Sequence, residues 1–168
     1  RVADILRRSG TVEVVDDIHS AKWMKLVVNA AELVPSAIID TELRVAAHDP
    51  GYLDAMRLAG YEAMAAALAD GATIMPIIGM PPTISNDPDR YVDQIFDKVL
   101  TTYSRDDTLT TSLQDWRKGR RAEVEEVNGI VVEMLKKQGR EAPMNALVVK
   151  MAQDIESGQL SAGPHNAA

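Results

Sequence analysis

Two Asp-Pro pairs, Asp49-Pro50 and Asp87-Pro88, constrain this chain more than any other feature. A carboxylate at the N-cap accepts hydrogen bonds from backbone N–H groups left open at a helix start. Proline at the first helical position loses nothing, because its missing N–H has no helical partner. Each pair therefore opens a helix. The first is expected to run to Asp70, ahead of Gly71, with Met56, Ala59, Ala63, Met64 and Ala67 at helical spacing and small enough for close packing. The second is expected to reach Tyr103.

Similar punctuation divides the rest. Residues 1–9 read as a helix that stops at Gly10, and the β-branched residues 11–18 read as a short extended segment. Ser20 is expected to cap a helix over 21–33 that ends ahead of Pro35, and a shorter helix is expected over 41–47. Residues 71–86 form a loop rich in Pro and Gly, to which the sequence attaches no role. A long helix over 109–127 is expected to close at Asn128-Gly129, followed by helices over 129–139 and 144–156 and a loose tail over 158–168. Aromatic residues make up only 4%, so Leu, Val, Ile, Ala and Met must fill the core, which suits helix-on-helix packing. The fold class is all-α, a bundle of about seven helices. No helical core requires the chain to begin as it does, at Arg1 within a helix, and it reads as a fragment.

With 18 Lys and Arg against 25 Asp and Glu, the net charge is −7, and the only basic cluster is the short KGRR at 118–121. A phosphate-binding surface needs more positive charge, so nucleic acid is not an expected partner. Apolar runs such as 72–80 contain Gly and Pro and are too short for a bilayer, no signal peptide is visible, and Cys is absent. The expected location is cytoplasmic. His19, His48 and His165 are scattered, no H-E-x-x-H spacing occurs, and no metal site is expected. G-x-G-x-x-G and P-loop patterns are absent, so any dinucleotide would be held outside these residues.

Two stretches carry polarity that a core has no use for. In KWMKLVVNA, Lys25 and Asn29 are four residues apart and share a helix face. In TSLQDWRKGRRAEVEEVNG, Thr111 lies one turn before Asp115, and Glu123 precedes Asn128-Gly129. Spacing alone leaves two readings open. Lys25 can extend along a helix side, and Glu123 can pair with Arg120 or Arg121 on a solvated face. Alternatively, both stretches meet at a substrate.

Trp23-x-Lys25-Leu26-x-x-Asn29 with Pro35-Ser36-Ala37, and SLQD eight residues before Glu123 with Glu-x-x-x-x-Asn-Gly, resemble the C-terminal domain of the ketopantoate reductase (2-dehydropantoate 2-reductase) family. The resemblance extends from about Asp17 to Glu156. It implies a helical domain, here 17–157, that holds substrate against an N-terminal Rossmann domain carrying NADPH, with residues 1–16 as the last helix and strand of that domain. It also implies a small 2-oxo acid substrate, ketopantoate itself on the route to pantothenate and coenzyme A. A homodimer is expected separately, because Ala59, Ala63 and Ala67 permit close helix approach and the chain without a Rossmann domain bares apolar surface. Lys25 stands at the family's general acid and Asn29 at a substrate-binding position. Thr111, with Ser112 beside it, stands where a hydroxyl binds the substrate carboxylate. Glu123 stands at the acidic residue where cofactor and substrate meet. Partial burial would make the Lys25 proton easier to release, and a neighbouring Glu would oppose this. One departure matters: Leu33 occupies the position of a second family Asn. It keeps open a different 2-oxo acid or an imine as substrate, beside a non-catalytic dimerisation or binding module.

Overall fold

A computed structural model describes residues 2–84 and 86–167. Arg1, Ser85 and Ala168, which fall in the expected first helix, the 71–86 loop and the tail, lie outside the described residues. Eight α-helices and no strand occur among the described residues: α1 (Val2–Leu6), α2 (Ile18–Ile38), α3 (Leu43–Ala46), α4 (Pro50–Ala69), α5 (Pro88–Lys98), α6 (Thr111–Arg117), α7 (Ile130–Lys137) and α8 (Pro143–Glu156). A π-helical turn over Val99–Tyr103 extends α5, and another over Glu125–Gly129 leads into α7. The all-α reading holds. No described helix is long and apolar enough to cross a membrane.

The Asp-Pro starts form as expected. Asp49 Oδ1 accepts from the Tyr52 N–H at 2.9 Å, and Asp87 Oδ1 accepts from the Arg90 N–H at 2.9 Å. Met56, Ala59, Ala63, Met64 and Ala67 all point into the core. Gly60 lies on the same helix, and a Cβ there would sit 2.8 Å from Val92 Cγ1, so its missing side chain lets α4 approach α5.

α2 runs through the centre and packs against α4, α5, α6 and α8. Its start differs from expectation. Asp17 caps it, accepting from the Ser20 N–H at 3.0 Å, while the Ser20 hydroxyl bonds Asp17 and Thr73. Trp23 Nε1 donates to Asp70 Oδ2 at 2.8 Å and ties the first turns of α2 to the end of α4. Nor does α2 stop at Pro35. Proline in a helix forfeits one backbone bond and crowds the preceding turn, at about 3 kcal/mol. Here Val34, Pro35, Ser36, Ala37 and Ile38 are all buried, and that burial offsets the loss.

The expected 109–127 helix is two pieces. α6 ends at Arg117, and the chain turns at Gly119, whose φ of +69° lies in the left-handed region that glycine tolerates. Asn128-Gly129 is therefore inside a helical run instead of closing one. Asn128 is fully buried, and its Nδ2 donates to the Ala30 carbonyl at 3.0 Å and to Asn145 Oδ1 at 2.9 Å. Asn145 in turn donates to the Ala59 carbonyl at 3.0 Å and to Glu62 Oε2 at 2.7 Å, so one polar chain links four elements.

Both ends also differ from the simple reading. No residue of α1 is buried, residues 11–15 pair with no strand, and Val2, Ile5, Leu6 and Val14 are exposed. The tail is not loose. The Gly163 N–H donates to the Ile38 carbonyl at 2.9 Å and Asn166 Nδ2 donates to the same oxygen at 3.0 Å. A C-terminal carbonyl of α2 has no helical donor, and the tail supplies two.

Candidate active site beside the central helix

Lys25, Asn29 and Glu32 fall at steps of four and three along α2 and so share one face. That face borders a cleft of about 320 Å³ whose wall includes Lys25, Glu32, Leu33, Tyr103 and Thr111. The volume suits a small acid far better than a dinucleotide. Lys25 is exposed, and its Nζ donates to Asn29 Oδ1 at 2.8 Å. Accepting from Lys25 commits the Asn29 oxygen and leaves its amide N–H groups as the donors it can offer. The partial burial expected for Lys25 is not found.

The far wall comes from the segment leading into α6. Thr110 Oγ1 donates to the Leu33 carbonyl at 2.9 Å and lies 3.1 Å from the Ser36 hydroxyl, which stitches this segment onto α2. Thr111, the next residue, is exposed on the cleft wall. Lys25 and Thr111, far apart in sequence, thus line one cleft. Ser112 is buried and outside the lining. Glu123 is exposed in the bend before the second π turn, also outside the lining. Its alternative as an ion-pair partner is not realised: Arg120 pairs with Asp115 at 3.8 Å and Arg121 with Glu156 at 3.1 Å.

The 71–86 loop acquires a role. Ile78 lines the cleft with φ +46°, a conformation costly for a β-branched residue, and its carbonyl accepts from Tyr103 Oη at 2.9 Å. Glu32 is the residue that sequence reasoning missed. It is 6% exposed, its Oε2 has no hydrogen-bond partner, and burial pushes its carboxyl up to about 7 against the opposing charge of Lys25. The available signal was a lone charge in the apolar run AAELVPSA. A cationic donor, an amide, hydroxyls and a buried acid around a small cleft can bind a carboxylate and deliver a proton to a carbonyl oxygen.

Residues 17–156 match the family described as Ketopantoate reductase PanE/ApbA C terminal. A 2-dehydropantoate 2-reductase of Archaeoglobus fulgidus is 28% identical over 159 residues, which are 94% of this chain and 48% of that protein. A PanE/ApbA family ketopantoate reductase of Ralstonia eutropha JMP134 shares the fold with a TM-score of 0.75 at 24% identity, over 94% of this chain and 48% of its own. D-mandelate dehydrogenase, in a ternary structure with NADH and anilino(oxo)acetate, superposes with a TM-score of 0.77 at 18% identity, over 94% of this chain and 60% of its own. The chain spans about half the length of the relative from Archaeoglobus fulgidus. With the family match over most of its length and an all-helical fold that agrees, this chain belongs to the C-terminal domain family of ketopantoate reductases.

Proposed function

We propose that this chain is the substrate-binding half of a nicotinamide-dependent 2-oxo acid reductase, with 2-dehydropantoate as the leading substrate and NADPH as cofactor. The observation that carries the reading is Lys25, bonded to Asn29 at 2.8 Å, in the wall of a cleft that Thr111 also lines. The described residues contain no glycine-rich turn between strand and helix for a pyrophosphate, so a separate Rossmann domain would hold the dinucleotide. Residues 1–16, with their exposed apolar side chains, would be its last helix and strand.

Bound reduced nicotinamide supplies the hydride. Lys25 donates a proton from Nζ to the ketone oxygen as negative charge develops there, and the cation stabilises that charge. Asn29 holds Lys25 in place through its oxygen and offers its N–H groups to the substrate. Thr111 offers a hydroxyl to the carboxylate. Glu123, solvent-facing in this chain, would meet cofactor and substrate at the domain junction. Closure of a second domain over the cleft would bury Lys25 and make its proton easier to release.

The test is steady-state kinetics on the complete reductase. Lys25→Ala should lower kcat by roughly 10² to 10⁴ with little change in NADPH affinity. Asn29→Ala should raise KM more than it lowers kcat. A Lys25→Ala enzyme with near-normal kcat would remove Lys25 from the chemistry. The isolated chain is expected to form a homodimer, for which Val2, Ile5 and Leu6, exposed when no sheet covers them, are a supporting feature. Sedimentation as a monomer would rule that out.

A further inference from the structure

The reductase reading uses Lys25, Asn29 and Thr111 and leaves Glu32 without a task. Its side chain is a costly feature: a carboxyl 6% exposed, with one oxygen wholly without a hydrogen-bond partner, in the wall of the same cleft. No nearby donor bonds that oxygen. Lys25 Nζ bonds Asn29 Oδ1 at 2.8 Å. The Ser36 hydroxyl donates to the backbone carbonyl of Glu32 at 2.7 Å, and Thr110 donates to the carbonyl of Leu33 at 2.9 Å. Of the groups facing Glu32 across the cleft, Lys25 on its own helix and Tyr103 on the π turn are titratable. Ile78, Leu43 of α3 and, from the segment leading into α6, Ser104, Thr108, Leu109, Thr110 and Thr111 contribute only apolar and hydroxyl groups to the lining. Among the described residues no ion pair involves Glu32, so its buried oxygen is left with acceptor capacity facing the cleft side of α2.

The sequence next to it sharpens the point. Leu33 stands where the family resemblance places a second Asn, so the amide is gone and a carboxyl stands one residue earlier. An amide donates and accepts, whereas a carboxylate only accepts. We infer that Glu32 is a specificity-determining residue that reads the tail of the 2-oxo acid, accepting a hydrogen bond from a hydroxyl or ammonium group there. This rests on the proposed reductase function. A tail with such a donor satisfies the orphaned oxygen. A purely alkyl tail leaves it buried and unpaired, beside a substrate that is itself an anion.

The experiment compares three 2-oxo acids of one carbon skeleton, ending in a methyl, a hydroxymethyl or an aminomethyl group, in the complete reductase. Wild-type kcat/KM should favour the donor-bearing tails over the methyl tail by roughly 10- to 100-fold. That preference should grow as pH rises through about 7, where Glu32 ionises. Glu32→Leu should reverse the order, turning over the methyl-tailed acid better than wild type does. Glu32→Gln keeps an amide oxygen that accepts from the hydroxyl, so it should retain part of that preference and lose the ammonium preference. Whichever donor-bearing tail wild type favours identifies whether charge or the hydroxyl is read. Equal kcat/KM for all three tails, in wild type and both variants, would overturn the inference while leaving the reductase intact. Failure to reduce any 2-oxo acid would overturn both.

Discussion

A buried carboxyl without a partner should leave a mark on stability as well as on specificity. Burial raises the Glu32 pKa in the folded chain to about 7, so between the ordinary carboxylate range and pH 7 the folded state binds more protons than the unfolded state. Stability due to this group is therefore greatest at acid pH, falls as pH rises through that window, and levels off above it. The full effect is at most about 3 kcal/mol. Glu32→Gln should remove this slope, matching wild type near pH 4 and exceeding it at pH 8. Urea unfolding of both proteins at the two pH values checks this, and parallel pH profiles would contradict the burial of a titrating acid. At this scale the sequence singled out Lys25, Asn29 and Thr111 as polar side chains that a core has no use for, and the fold sets Lys25 and Thr111 on one cleft. It was uninformative about Glu32 for the opposite reason. Burial of an acid is so rarely favourable that a charge on a helix reads by default as solvated, and only neighbours from α3, the Ile78 loop and the 104–111 segment enclose it.

Helix starts were readable where Asp stands directly before Pro, and were missed at α2, where Asp17 caps instead of Ser20. Asp49-Pro50 and Asp87-Pro88 need nothing beyond their own backbone, and both work as caps. Pro35 misled because its cost is local while its compensation is tertiary: the last turn of α2 is buried by elements distant in sequence. Asn128 misled in the same way. Asn-Gly usually signals a turn, yet here the amide is spent on Ala30 and Asn145, partners that a linear reading cannot supply. This chain of amides should be among the most sensitive points of the domain. Asn145→Ala would strip the acceptor from Asn128 and the donors from Ala59 and Glu62, all in fully or partly buried surroundings. The expected loss is about 3 kcal/mol, since several polar groups are left unpaired at once. Denaturant titration measures it, and a loss below 1 kcal/mol would mean the amides are independently hydrated.

The whole molecule hangs two separate kinds of work on one helix. α2 carries Lys25 near its start and Ile38 at its end, thirteen residues and roughly 20 Å apart. The cleft runs along α2 from Lys25 to Leu33, and the docked tail closes its last turn at Ile38. Because the tail's bonds go to the Ile38 carbonyl, and Asn166 and Ala167 line a separate apolar hollow with Tyr52 and Met151, its loss should weaken the fold without touching the cleft. Deleting residues 161–168 exposes that carbonyl and the hollow together. The expected cost is about 1–2 kcal/mol, two modest hydrogen bonds plus some apolar surface, or a fall in Tm of about 2–8 °C for a domain of this size. Calorimetry on the truncated chain reads the first half of the prediction. The second half is read in the complete reductase, where the same truncation should leave KM for the 2-oxo acid within about twofold of the full-length value at temperatures well below the new Tm. If KM rose tenfold while Tm held, the tail would belong to the substrate site, and the separation of fold and chemistry along α2 would be wrong.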